Sequence, residues 1–242
     1  MADYKKSVIV DTMTNEEILT LLASDSQFLQ HKIDENLKTY KRLIKNSASK
    51  NRIYYNPLNY KSAKGFNWVI QFFKRGVDEV DEKSKLGTLY YTWFVKNRGI
   101  YAVTCSRLSL YGKYTWHFTI YTPHFIDRYK ERFLKDKSIS KPDAFYKYFR
   151  NNLKLTSSGH PSQKYPNGFW LVCNDGMCLC NHLNSLTVEV KTFITYEMAH
   201  VEEKEFVQKA KQAMLDRGFE LRLPEEDFDE YVKEDILRQE VT

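Results

Sequence analysis

Hydrophobic spacing changes along this chain from a helical period to a strand-like one and back again. Thr14-Asn15-Glu16-Glu17 has the form of a capping box, in which a hydroxyl and a carboxylate satisfy two orphan N–H groups, and it predicts a short helix through Leu22. A second helix is predicted from Asp25 or Ser26 to about Lys45, because Leu29, Ile33, Leu37, Tyr40 and Ile44 recur every three or four positions. Together they predict an N-terminal helical hairpin over 1–48, and the polar stretch Lys45 to Asn51 reads as a boundary loop. Gly65 to Lys74 reads as a short aromatic helix or a buried segment.

Strand signals follow. Tyr90–Val95 and Ile100–Cys105 flank the turn Asn97-Arg98-Gly99, and Tyr114–Tyr121 is rich in β-branched and aromatic residues. Thr122-Pro123 is a capping hydroxyl with proline at the first helical position, and predicts a helix to Phe133 or Leu134. Lys141-Pro142-Asp143 opens another, through Leu153. Phe169–Cys173 and Met177–Asn181 form a predicted hairpin around Asp175-Gly176, and Thr187–Tyr196 is a further strand. Val201–Arg217, stopped by Gly218, and Pro224–Arg238 predict two closing helices. The expected fold is α+β: an antiparallel sheet packed by helices over 52–198, between the helical hairpin and a C-terminal acidic helical pair over 199–242.

Charge sharpens this division. Residues 197–242 carry 14 acidic and 7 basic side chains, a balance of −7, and the first 196 carry 30 basic and 17 acidic, a balance of +13. A cationic body with an acidic tail points to RNA or another polyanion as partner, with the tail competing for the same surface, although both are also what ordinary solvated faces look like. A protein partner is the other expectation, and the oligomeric state is open. No run reaches the roughly 18 apolar residues that span a membrane, and Val8-Ile9-Val10 is too brief for a secretion signal. The expectation is therefore a cytoplasmic protein without a membrane partner, which also suits the four cysteines as free thiols.

The segment from Thr122 to Phe133 holds the candidate chemistry. On a helix His124, Arg128 and Arg132, spaced i, i+4, i+8, share one face opposite the apolar stripe Phe125, Ile126, Tyr129 and Phe133. A first-turn imidazole sits where the helix dipole disfavours its cationic form, so it can move protons near neutral pH beside two guanidiniums that neutralise a phosphodiester. The same residues equally make an ordinary amphipathic helix with a solvated polar face.

His-x3-Arg-x3-Arg on a helix, with a late Thr-bearing strand Lys191-Thr192-Phe193-Ile194-Thr195, resembles the barnase/EndoU/colicin/RelE-like ribonuclease and toxin superfamily. The resemblance covers residues 122–198. It implies a metal-independent endoribonuclease of toxin type, with no cofactor. His124 would be general acid/base, Arg128 the phosphate clamp aided by Arg132, and Thr192 or Thr195 would orient the phosphate.

Other stretches compete. Cys173-x4-Cys178-x-Cys180-x-His182 offers three thiols and an imidazole to zinc, but residues two apart on a strand diverge from a common centre, and free cysteine is a routine core residue; no metal is expected. Aromatic residues interleave with basic ones at Tyr54-Tyr55, Tyr60-Lys61, Phe72-Phe73-Lys74-Arg75 and Tyr146-Lys147-Tyr148-Phe149-Arg150. From Arg107 to Lys154 there are 11 basic and 4 acidic residues, which makes Lys130, Tyr146, Lys147 and Arg150 candidates for nucleic-acid contact. His160 lies in a predicted loop that can border a cleft, and His117 alternates within a strand. P-loop, dinucleotide fingerprint and nucleophile elbow are all absent from the sequence. A non-catalytic nucleic-acid- or protein-binding accessory factor is the alternative to the ribonuclease.

Overall fold

The capping box at Thr14 opens a helix that does not break at Asp25, so the predicted hairpin is one continuous element, α1 (Asn15–Asn46). Asp25 and Ser26 looked like cap residues because short polar side chains compete for the backbone. Both are instead buried mid-helix: the Asp25 carboxylate accepts from Trp68 Nε1 at 2.7 Å, and the Ser26 hydroxyl donates to the Ala23 carbonyl at 2.9 Å. The structure is a computed structural model that describes residues 9–49, 52–75, 86–110, 113–152, 156–157, 168–199 and Gln212. The predicted C-terminal helices and His160 lie outside the described residues, Gln212 excepted.

After α1 come β1 (Ile53–Tyr54), β2 (Leu58–Lys61), β3 (Asn67–Lys74), β4 (Leu86–Lys96), β5 (Gly99–Leu110) and β6 (Lys113–Tyr121). Then follow α2 (Pro123–Arg132), α3 (Lys141–Asn151), β7 (Thr156–Ser157), β8 (Gly168–Cys173), β9 (Gly176–Asn184), β10 (Thr187–Ile194) and a 3-10 turn at Tyr196–Met198. Among the described residues one sheet of ten strands runs in the order β1-β3-β4-β5-β6-β10-β9-β8-β7, with β2 also on β3. It is mixed rather than wholly antiparallel: β10 runs parallel to β6, with Val188 beside Thr119 and Val190 beside Tyr121. The two helices and three strands between β6 and β10 form the crossover that a parallel pair requires.

Both faces of the sheet are covered. Alternate residues of β3 go to opposite sides: Trp68, Ile70 and Phe72 meet Ile18, Leu22, Leu29 and Ile33 of α1, and Val69 joins the core beneath α2 and α3. Such a strand carries a continuous apolar run instead of an alternating one, which is why Gly65–Lys74 also read as a helix. Aromatic rings fill the second core. Phe125, Tyr129 and Phe133 of α2 and Phe145, Tyr148 and Phe149 of α3 pack with Tyr121 and Phe193, mostly edge to face. Each fully buried ring contributes about 1.5–3 kcal/mol of transfer free energy.

Local signals placed the helices on this face. The Thr122 hydroxyl accepts from Phe125 N at 3.2 Å and donates to the Lys191 carbonyl at 3.0 Å, which caps α2 and ties its start to β10. A buried carboxylate fixes the other end. Asp175 Oδ2 accepts from Tyr129 Oη at 2.6 Å, Asn151 Nδ2 at 3.0 Å and Asn152 Nδ2 at 2.7 Å, so α2, the end of α3 and the β8–β9 turn meet at one atom. The turn itself is Asn174-Asp175, one residue earlier than predicted, because Cys173 pairs with Gly176. A Cβ at Gly176 would collide with the Ile194 carbonyl, so glycine is needed in the strand there. No helix among the described residues is long and apolar enough to cross a membrane.

Candidate nucleic-acid interface

His124, Arg128 and Arg132 do follow one another along α2, but their surroundings differ. His124 is exposed in the first turn. Arg128 is held by Glu131, three residues on, at 2.6 Å, and Glu131 also receives Lys137 at 3.6 Å. The guanidinium of Arg128 pulls the Glu131 carboxyl below its usual value. Arg132 donates to the Phe193 carbonyl of β10, and burial, with Arg128 beside it, pushes its guanidinium down. Asp127 takes Lys141 at 2.8 Å. The cationic face of α2 is thus largely compensated within the α2–α3 layer.

The two threonines are not brought to that face. Thr192 pairs with Leu179, between Cys178 and Cys180, which both point under α2 and α3, so Thr192 sits on the opposite side of β10. Thr195 is buried beyond the end of the strand and makes no side-chain cap for the following turn.

Cys173, Cys178 and Cys180 form a buried row under the aromatic core, whereas Cys105 packs in the core beneath α1. Cys178 pairs with Leu171 and Cys180 with Phe169, so Cys173 and Cys178 are diagonal neighbours rather than a direct pair. Cys173 Sγ donates to the Gly176 carbonyl at 3.2 Å, Cys178 Sγ lies 3.3 Å from Tyr148 Oη, and burial pushes the Cys173 and Cys180 thiols up. A thiol kept protonated is a poor metal ligand. His182, two residues on, stacks on Phe169 with ring centroids 4.4 Å apart. Across β10 from it, His117 has its proton affinity lowered by burial and then by the charge of His182.

A different set of cations, on α1, has no acidic partner among the described residues. From Asn36 to Val77 the sequence holds ten basic residues and no acidic one, a denser bias than the 107–154 window that drew attention first. Lys38, Lys41, Arg42 and Lys45, spaced i, i+3, i+4, i+7, form an exposed stripe on α1 roughly 10 Å long at 1.5 Å per residue. None has an acidic partner among the described residues.

The fold fixes where that stripe ends. The Lys74 ammonium of β3, buried, donates to the carbonyls of Ser47 (3.2 Å) and Ser49 just past the last turn of α1, where a cation is favoured. Lys74 pairs with Ile53 of β1, and the neighbouring Tyr54 pairs with Phe73. From β1 the contacts pass to α3. Arg52 Nη1 donates to Tyr54 Oη at 3.2 Å, and Tyr54 Oη donates to the Arg150 carbonyl. The Arg150 guanidinium lies 4.5 Å from the Tyr54 ring centroid and 5.4 Å from that of Tyr146, whose hydroxyl accepts from its Nη1 at 3.2 Å.

Two basic stretches about a hundred residues apart therefore meet at the β1 edge of the sheet. Of the residues predicted for nucleic-acid contact, Tyr146 and Arg150 are brought into this cluster. Lys147 lies on α3 beside them in sequence, and Lys130 lies on α2. The α1 stripe and Arg52 were missed by reasoning along the sequence, and the signal that finds them is the 42-residue stretch without an acid. Compared with known proteins, the chain matches no family model, no curated protein and no solved structure.

Proposed function

We propose that this protein is a non-catalytic nucleic-acid-binding factor that grips a phosphate backbone along the β1 edge. One observation carries the reading: the acid-free region 36–77 and the Tyr146/Arg150 pair of α3 converge on one edge, and the α1 cations there have no acidic partner among the described residues. Cations already neutralised by carboxylates have little left to offer a polyanion. Unpaired ones release the counterions that condense on nucleic acid, and this release drives sequence-independent binding. The α2 face suits this role less well, since Arg128 is paired with Glu131, Asp127 takes Lys141 of α3, and Arg132 is spent on a backbone carbonyl.

Fluorescence anisotropy with labelled RNA and DNA oligonucleotides at 50 and 200 mM salt tests it. With about five phosphate contacts, affinity for a single strand falls roughly 100-fold over that range. Replacing Lys41 and Arg42 by glutamate together lowers binding at least tenfold without unfolding the exposed helix face. No binding at 50 mM salt, or full binding by the doubly reversed variant, overturns the proposal.

A further inference from the structure

Resting on that reading, we infer that the chain regulates its own α1 stripe. The acidic stretch 225–235 occupies Lys38, Lys41, Arg42 and Lys45 in the free protein, and a nucleic acid binds by displacing it.

The stripe calls for an anionic occupant. All four side chains are exposed, and none has an acidic partner among the described residues. The helix dipole favours a cation in the last turn, which accounts for Lys45, but its effect does not reach back two turns to Lys38. Leu43, 42 % exposed, flanks the stripe beside Arg42, so the surface there is apolar as well as cationic.

The C-terminal sequence has the matching composition. Residues 225–235 hold seven carboxylates (Glu225, Glu226, Asp227, Asp229, Glu230, Glu234 and Asp235) against the single ammonium of Lys233, with Phe228 and Tyr231 among them. Residues 78–85 also hold four acids, but two lysines reduce their balance to −2 against −6.

The distance fits too. Ala199 packs in a small core with Val172, Met177 and Tyr196, and the C-terminal stretch departs from there. The stripe ends at β1, five strand spacings from β10 in the sheet order, which is about 24 Å at about 4.8 Å each. Ala199 and Glu225 are 26 residues apart in sequence. Even at the rise of a helix, that length covers about 39 Å.

Each exposed ion pair is weak and is screened by salt, so this stretch as a free peptide binds poorly. Joined to the same chain, it is present at an effective concentration in the millimolar range, and a weak contact becomes an occupied one. Such an occupant yields to a longer polyanion, whose condensed counterions add a release that a short peptide lacks. The α2 face offers the acidic stretch less, because Arg128 and Arg132 are already engaged.

The test has two arms, both on the full chain. Wild-type protein is treated with a zero-length carbodiimide cross-linker at 50 mM salt, and the monomer band is read by mass spectrometry. The expected links join Lys38, Lys41 or Lys45 to carboxylates of 225–235, and they disappear in saturating rU12. Links from these lysines to residues 78–82 instead, links found only in dimers, or none at all overturn the inference. The second arm is anisotropy with labelled rU12. Glu225→Gln, Glu226→Gln, Asp227→Asn, Asp229→Asn and Glu230→Gln together should tighten binding roughly fivefold at 50 mM salt and less than about twofold at 200 mM, where screening has already loosened the contact. A gain of the same size in the Lys41→Glu, Arg42→Glu background overturns the inference, because net charge would then be acting without the stripe. Unchanged affinity overturns it as well and leaves the nucleic-acid reading intact. If neither the wild type nor the neutralised variant binds rU12 at 50 mM salt, the reading beneath it falls, whatever the cross-links show.

Discussion

Asp175 joins three elements through one oxygen, so its removal is the most demanding perturbation of the layer that carries Tyr146 and Arg150. In Asp175→Ala the Tyr129 hydroxyl and the Asn151 and Asn152 amides lose their acceptor inside a closed core. A hydrogen bond to a charged acceptor is worth about 1.5–3 kcal/mol. Three on one atom do not add, and breaking such a buried polar cluster costs about 3–5 kcal/mol. Against a total stability of about 5–15 kcal/mol that is a large share. For a chain of this size it corresponds to a melting temperature roughly 6–20 °C lower.

Urea unfolding of the wild type, Asp175→Ala, Tyr129→Phe and the double variant gives the cycle that isolates the shared term. Tyr129→Phe alone leaves the carboxylate two donors and costs about 1–2 kcal/mol. The double variant should be less destabilised than the sum of the singles, since the phenylalanine ring leaves no hydroxyl to strand. An Asp175→Ala cost under about 1 kcal/mol, or strict additivity in the cycle, would refute the account of Asp175 as the joint between α2, α3 and the β8–β9 turn.

Three further outcomes follow from the same structure. Asp25 is fully buried with Trp68 Nε1 as its donor, so Trp68→Phe should lower the urea midpoint by the equivalent of about 1–3 kcal/mol beyond its volume change, whereas Asp25→Asn keeps an acceptor for the indole N–H and should lower it less. The lowered proton affinity of His117 means that the unfolded chain takes up its proton first: stability from this group is present above the unfolded value of 6.5 and is lost as the pH falls below it, so His117→Gln should flatten the melting-temperature slope on the acid side of 6.5, and an unchanged slope would contradict the shift. Labelled RNA incubated in EDTA should remain intact with the wild type and with His124→Ala alike, because Arg128 and Arg132 are engaged elsewhere; cutting that disappears in the variant would restore the ribonuclease reading.

What could be read along the chain was what neighbours in sequence decide. The Asn97-Arg98 turn between β4 and β5, the Thr122-Pro123 start of α2 and the Lys141-Pro142 start of α3 depend on residues within four positions, and each lies where its local signal put it. Expectations that needed a distant partner fared differently. Asp25 reads as a helix start until Trp68, 43 residues on, is there to bond it, and β3 reads as a helix until layers cover both of its faces. The parallel β6–β10 pair has no local signature at all.

The same limit governs the candidate site. The period of His124, Arg128 and Arg132 was legible, and so in principle was Glu131, one helical turn after Arg128, which cancels part of the charge that made the period attractive. The β1 edge was legible only in halves. Lys38 to Lys45 stand on one layer and Tyr146 to Arg150 on another, and it is Lys74, holding the end of α1, together with Tyr54, bonding the α3 backbone, that joins them. Counting charges within sequence windows ranks the compensated α2 helix above the α1 stripe Lys38, Lys41, Arg42 and Lys45, which has no acidic partner among the described residues. Asking instead which cations have a carboxylate within reach reverses the order, and a polyanion responds to that second quantity.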